Sequence, residues 1–150
     1  MKAIVTALFL FAAAHAGVTA GSNFPSLILE DQFEKKHKVT AEDTIVMMSF
    51  ERDVSSAVND FLNAQPKGFL AANNAKYVSD ISAMPGIITK MFALPKMRDY
   101  NYALMLNYED EFAAKFDKQE GKLTVYRLNA GVVEAVEFID PAKVNELFSK

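Results

Sequence analysis

The sequence predicts an α/β fold, a single mixed β-sheet with helices on both faces, in the order βαβαβαββα after a short N-terminal hairpin. Three observations carry this expectation. Between residues 44 and 116, apolar runs of strand length alternate with segments of helical periodicity. Two β-type runs, 122–128 and 132–138, then follow one another across Asn129-Ala130-Gly131. Finally, Asp140-Pro141 places a capping residue and an N1 proline before one last helical segment. The chain has 150 residues, 51% of them hydrophobic, which suffices for one domain with a real core.

The first twenty residues read as an address rather than as part of that fold. Lys2 is followed by a small or apolar stretch from Ala3 to Ala14, broken only by Thr6. Two small-x-small patterns come next, Ala14-His15-Ala16 and Val18-Thr19-Ala20. This order is that of a secretory signal peptide over residues 1–20, leaving a single domain at 21–150. An apolar run of about a dozen residues is shorter than the ~20 needed to cross a bilayer. Cleavage after Ala20 is favoured because Gly21-Ser22-Asn23 makes a flexible start, with Ala16 as the second site. The expected product is periplasmic or secreted, with no transmembrane segment in the mature chain, since charges interrupt every later apolar run.

Leu27 to Val39 is expected to form a small hairpin around Glu34-Lys35-Lys36-His37-Lys38. Thr44 to Phe50 is almost continuously apolar, the pattern of a strand buried on both faces. Asp53 then reads as an N-cap, and Val54, Ala57, Val58, Phe61 and Leu62 recur at helical spacing. Pro66, Gly68 and Asn73-Asn74 mark a connection with a short helical turn at Phe69-Leu70. Lys76 to Ile81 is the second strand. A helix beginning at Pro85 groups Ile87, Ile88, Met91 and Phe92 on one face, and Pro95 ends it. Tyr100 to Leu106 is the third strand, after which Asn107 caps a helix carrying Tyr108, Phe112 and Phe116. The last helix buries Val144, Leu147 and Phe148.

Composition excludes several functions. The chain has no cysteine, so it has no disulfide, thiol nucleophile, cysteine-ligated zinc or iron–sulfur cluster. Removing Lys2 with the leader takes the 16 basic residues to 15, against 19 acidic ones. A mildly acidic domain is poorly suited to phosphate neutralisation, so no nucleic-acid partner is expected. No glycine-rich phosphate loop occurs, and no cofactor is expected. Edge strands leave a homodimer open.

The element order resembles the thioredoxin-like superfamily in its peroxiredoxin-like elaboration. Leu29-Glu30-Asp31-Gln32-Phe33 is similar to the hairpin that precedes the first core strand in that group. The stretch from Leu106 to Ala113 is similar to its strand and helix leading towards the site, and Lys122 to Leu128 to the strand before its closing hairpin. The resemblance implies a thiol just after the first core strand. Here that window reads Glu51-Arg52-Asp53-Val54-Ser55-Ser56-Ala57. The family's cis-proline has no counterpart either, since Glu120-Gly121-Lys122 stands before the strand. Copper-delivery members use two cysteines and a histidine, and the cysteines are missing. The resemblance therefore implies a redox-inactive member, with thiol-dependent oxidoreductase and peroxidase activity excluded.

The candidate ligand site is the vacated window, Glu51, Arg52, Asp53, Ser55 and Ser56, at the start of a helix whose amides favour an anion. Ser55 and Ser56 lack an evident base, because His37, the sole histidine of the mature chain, lies in a charged stretch expected to face water. Capping and solvation of the first helical turn is the competing role for these residues, and no catalytic residue is assigned. A candidate partner surface alternates Lys96 and Arg98 with Tyr100 and Tyr102. No metal site of histidine and carboxylates is legible. The leading expectation is an exported protein that binds a protein or small ligand. The alternatives are an accessory redox protein with a bound cofactor, and a copper carrier built on Met84, Met91 and Met97.

Overall fold

The computed structural model describes residues 17–149. Residues 1–16, which hold most of the expected leader, lie outside the described residues. The chain forms a five-stranded sheet and a two-stranded one. Strands β1 (Ile28–Glu30) and β2 (Lys36–Lys38) make the expected N-terminal hairpin. The main sheet contains β3 (Ile45–Ser49), β4 (Ala75–Asp80), β5 (Met105–Asn107), β6 (Leu123–Asn129) and β7 (Val132–Ile139). Their spatial order is β5-β4-β3-β6-β7. The three strands of the alternating part pair in parallel, and β6 and β7 add antiparallel partners.

The central position of β3 accounts for its composition. Every residue of this strand is buried, and alternate side chains enter two different cores. Ile45 and Met47 join Val54, Val58 and Leu62 of α1 (Arg52–Asn63). Val46 and Met48 point the other way, to Leu27, Phe112, Phe116 and Tyr126. Helical segments thus lie on both faces: α1, α2 (Phe69–Ala72), α3 (Gly86–Ile88) and α4 (Leu94–Met97) on the first side, and a 3-10 segment at Phe112–Lys115 on the second.

Several local expectations need correction. Asp53 is the second residue of α1, not its cap; Glu51 takes the N-cap position with extended backbone and no capping side-chain bond. Pro95 does not stop the helix that begins after Pro85. A π-helical segment, Thr89–Ala93, links α3 to α4, and Pro95 sits in the first turn of α4. A wider π turn reorganises the hydrogen bonding ahead of a proline that has no N–H to give. The third strand is shorter than Tyr100 to Leu106, because the Leu104 N–H is taken by the side chain of Gln32 (2.9 Å) instead of a ladder partner. The helix expected after Asn107 is reduced to the 3-10 segment. Asn107 ends β5, and its Oδ1 accepts the Glu109 N–H at 3.2 Å. The last helix is also 3-10, Pro141–Phe148, with Asp140 Oδ1 accepting the Ala142 N–H as a cap should.

Candidate functional site

The strand-to-helix junction after β3 opens into a groove of about 710 Å3. One side is polar and comes from the start of α1 and the end of β4: Arg52, Ser55, Ser56, Asn59, Ser79 and Asp80. The other is largely apolar and comes from the chain between β4 and β5: Met84, Ile88, Phe92 and Met97. Phe92 is 65% exposed and Ile88 42%, so neither is consumed by the core. The π-helical segment carries Phe92, which ties the irregular backbone of this stretch to the groove wall.

Beneath the polar side runs a chain of hydroxyls. Ser49 Oγ and Ser55 Oγ share a hydrogen bond of 2.7 Å, Ser49 meets the Tyr77 hydroxyl at 2.9 Å, and Ser55 reaches Ser79 Oγ at 3.3 Å. Ser49, Tyr77 and Ser79 are buried. Burial pushes the Tyr77 phenol up to about 12, because the phenolate would lose its hydration, while the serine hydrogen bonds act the opposite way. A chain of neutral hydroxyls of this kind satisfies buried polar atoms. It supplies no base to activate Ser55. Among the described residues, no group of three or more His, Asp or Glu side chains is placed to hold a metal ion.

The five residues of the vacated window are brought together but do different things. Arg52, Ser55 and Ser56 face the groove. Glu51 also borders it, yet its Oε2 accepts the Gly121 N–H at 2.6 Å, a tether to the turn before β6. Asp53 faces away, into a smaller recess it shares with Gly121 and Pro141. The four partner-surface residues are not one patch. Lys96 and Tyr100 line the groove, whereas Arg98 donates through Nε to the Gln32 carbonyl at 3.1 Å. Tyr102 is buried, stacks against Tyr100 at 5.4 Å and donates its hydroxyl to Asn59 Oδ1 at 2.6 Å. The three methionines also differ in setting. Met97 is buried, Met84 lines the groove, and Met91 is 62% exposed outside it. His37 is half-buried and keeps some contact with water, and its Nε2 lies 2.7 Å from Asp31 Oδ2.

Sequence reading missed two contributors. The apolar wall was legible only in part, as Ile88 and Phe92 in a group at helical spacing, with nothing to assign them to a groove. Gln32 gave no signal, yet it is fully buried and joins the N-terminal hairpin to the chain entering β5 through Met97, Tyr102 and Leu104.

No family model matches the sequence, and no curated protein sequence matches it. Solved structures do match in shape. A peroxidoxin, BcpB, from Mycobacterium tuberculosis superposes with a TM-score of 0.56 at 17% identity, over 87% of this chain and 93% of that one. A DsbE thiol:disulfide interchange protein from Chlorobium tepidum gives 0.60 at 15% identity, over 88% and 94%. The thioredoxin domain of a thiol-disulfide oxidoreductase from Bacteroides vulgatus gives 0.57 at 12% identity, over 89% and 100%. Two of those proteins are named for thiol–disulfide chemistry, whereas this chain has no cysteine and, among the described residues, no cis peptide bond. At such identities the likeness concerns shape alone: the chain has a thioredoxin-like α/β fold and no cysteine.

Proposed function

We propose that the protein is exported, does no thiol redox chemistry, and acts by binding a protein segment or small ligand in the groove at the start of α1. The observation that carries this reading is the combination of an open groove with a two-sided lining. One wall offers Arg52, Ser56 and Asp80 for hydrogen bonding, and the other leaves Ile88 and Phe92 in water. Exposed apolar side chains facing a polar wall suit a ligand with one apolar and one polar side. Among the described residues no helix is long and apolar enough to cross a membrane.

Native mass spectrometry of the protein purified from the exported fraction of its own cells tests the reading. A retained mass is expected, and Phe92→Ser should lose it, while Ile87→Ser, at a residue equally exposed but outside the groove, should keep it. Retention unaffected by Phe92→Ser, or no retained mass in any preparation, would overturn the proposal.

A further inference from the structure

The segment before Leu27 is bound to the domain, starting at the first described residues. Val18 is 7% exposed and belongs to the second core with Phe116, Tyr126 and Val133. Gly21 donates its N–H to the Val133 carbonyl at 2.7 Å, and Phe24 donates to Gly131 at 2.9 Å. Asn23 bridges Val132, so the segment runs antiparallel beside β7. Phe24 meets Tyr126 edge-on at 5.3 Å.

At its head lies Asp117. The Val18 N–H donates to Asp117 Oδ2 at 2.9 Å, and the Tyr126 hydroxyl donates to the same oxygen at 3.0 Å. The Tyr126 hydroxyl also accepts the Asp117 N–H, and Thr124 Oγ1 donates to the Asp117 carbonyl, so this residue is held from several directions. Gly17 presses on the carboxyl group so closely that a Cβ there would stand 2.6 Å from Cγ and 2.8 Å from Oδ2. Its backbone nitrogen therefore lies within roughly 5 Å of that carboxyl carbon. Two hydrogen bonds do not neutralise a carboxylate, and no cationic side chain pairs with Asp117 among the described residues.

We infer that the leader is removed between Ala16 and Gly17, and that the new α-ammonium group of Gly17 pairs with Asp117. This rests on the export reading but not on the groove. Hydrolysis of the Ala16–Gly17 peptide bond by a leader peptidase consumes one water. The hydroxyl goes to the Ala16 carboxylate, which leaves with the leader, and Gly17 gains the amine that protonates near neutral pH. Ala14-His15-Ala16 supplies the small residues that such cleavage requires. Cleavage after Ala20 would instead delete Val18 from the core and strip Asp117 of its Val18 donor.

The full chain, expressed in an exporting host, tests the inference through the intact mass and N-terminal sequence of the exported protein. A start at Gly17 is expected. A start at Gly21 would overturn this inference and leave export standing; an uncleaved chain would overturn both. Pairing is tested by a thermal cycle over chains beginning at Gly17 or at Ala16, each with Asp117 or Asp117→Asn. The substitution should lower the Tm by several degrees more in the chain beginning at Gly17, because one added residue carries the ammonium out of reach. Equal losses in the two backgrounds would overturn the ion pair. If Asp117→Asn fails to fold, the Gly17 and Ala16 starts are compared directly at 0.05 and 1 M salt: an advantage of the Gly17 start that shrinks with salt supports the pair, and no advantage overturns it.

Discussion

Glu51 Oε2 accepts the amide hydrogen of Gly121 at 2.6 Å, joining the cap of α1 to the turn before β6 across 70 residues of sequence. Gly121 has φ +71°, a conformation glycine adopts freely and other residues do not. The charged acceptor and the permissive turn therefore form one device, with Glu51 bordering the groove and Gly121 the smaller recess behind it. Glu51→Ala should cost about 1 kcal/mol, since the bond is charge-assisted but exposed. Gly121→Ala should cost a similar amount through backbone strain. Urea midpoints read both, and a Glu51→Ala protein as stable as the parent would dismiss the tether.

The phenol of Tyr77 supplies a prediction at alkaline pH. Its folded value, about 12, stands above the ordinary value of 10. Folding thus favours the protonated form, and the associated stability is complete below about pH 10 and lost as pH rises towards 12. Burial also raises Tyr102 and Tyr126, so all three should stay protonated together until the fold opens. Phenolate absorbance should rise cooperatively with loss of near-ultraviolet circular dichroism. Independent titration of these tyrosines near pH 10 with the fold intact would contradict it.

At acid pH the relevant carboxyl is Asp31. Burial opposes its charge, but the His37 hydrogen bond and the Lys35 and Phe33 amides outweigh burial and hold it below the usual carboxylate value. A lowered folded value means the stabilisation is present above about pH 4 and disappears as pH falls through the folded value. Asp31→Asn should therefore reduce stability at pH 7 and flatten its dependence on pH below 4. A parallel acid-unfolding curve for the variant would show that the carboxylate contributes nothing.

The sheet was legible because its strands announce themselves chemically. Residues 45–48 are apolar on both faces because β3 meets a separate core on each side of the sheet, and the glycine-bearing turn at 129–131 fixes the closing hairpin. Helical periodicity was less faithful. Ile87, Ile88, Met91 and Phe92 recur at helical spacing, yet all four are exposed, and only Ile88 and Phe92 line the groove. Spacing reports which residues lie together and is silent on what covers them. The vacated window was found by its position after β3, yet the sequence could not reveal that Glu51 is spent on Gly121 or that Tyr102 is buried. Those facts depend on contacts 43 and 70 residues apart. Gln32 was invisible for the same reason, since a polar residue in a hairpin loop is ordinarily solvated.

Gln32 gives the most severe prediction for stability. Its Nε2 donates to the Met97 carbonyl at 3.1 Å and to the Tyr102 carbonyl at 2.8 Å, while Oε1 accepts from Leu104 at 2.9 Å. The side chain is at 0% exposure, so these three backbone groups have no water to turn to. Gln32→Leu keeps much of the volume but strands the Tyr102 carbonyl and the Leu104 N–H, while the Met97 carbonyl keeps the Tyr100 N–H at 3.1 Å; the loss should cost about 2–4 kcal/mol. The damage should also spread beyond stability. Met97 and Tyr102 flank Tyr100, and Tyr102 holds Asn59 of α1, so loosening this clamp should widen the groove from its α4 side. Hydrogen exchange in Gln32→Leu should accelerate over residues 97–104 and leave β6 and β7 protected. A loss of stability spread evenly over all five strands would mean that Gln32 supports the fold without positioning the groove.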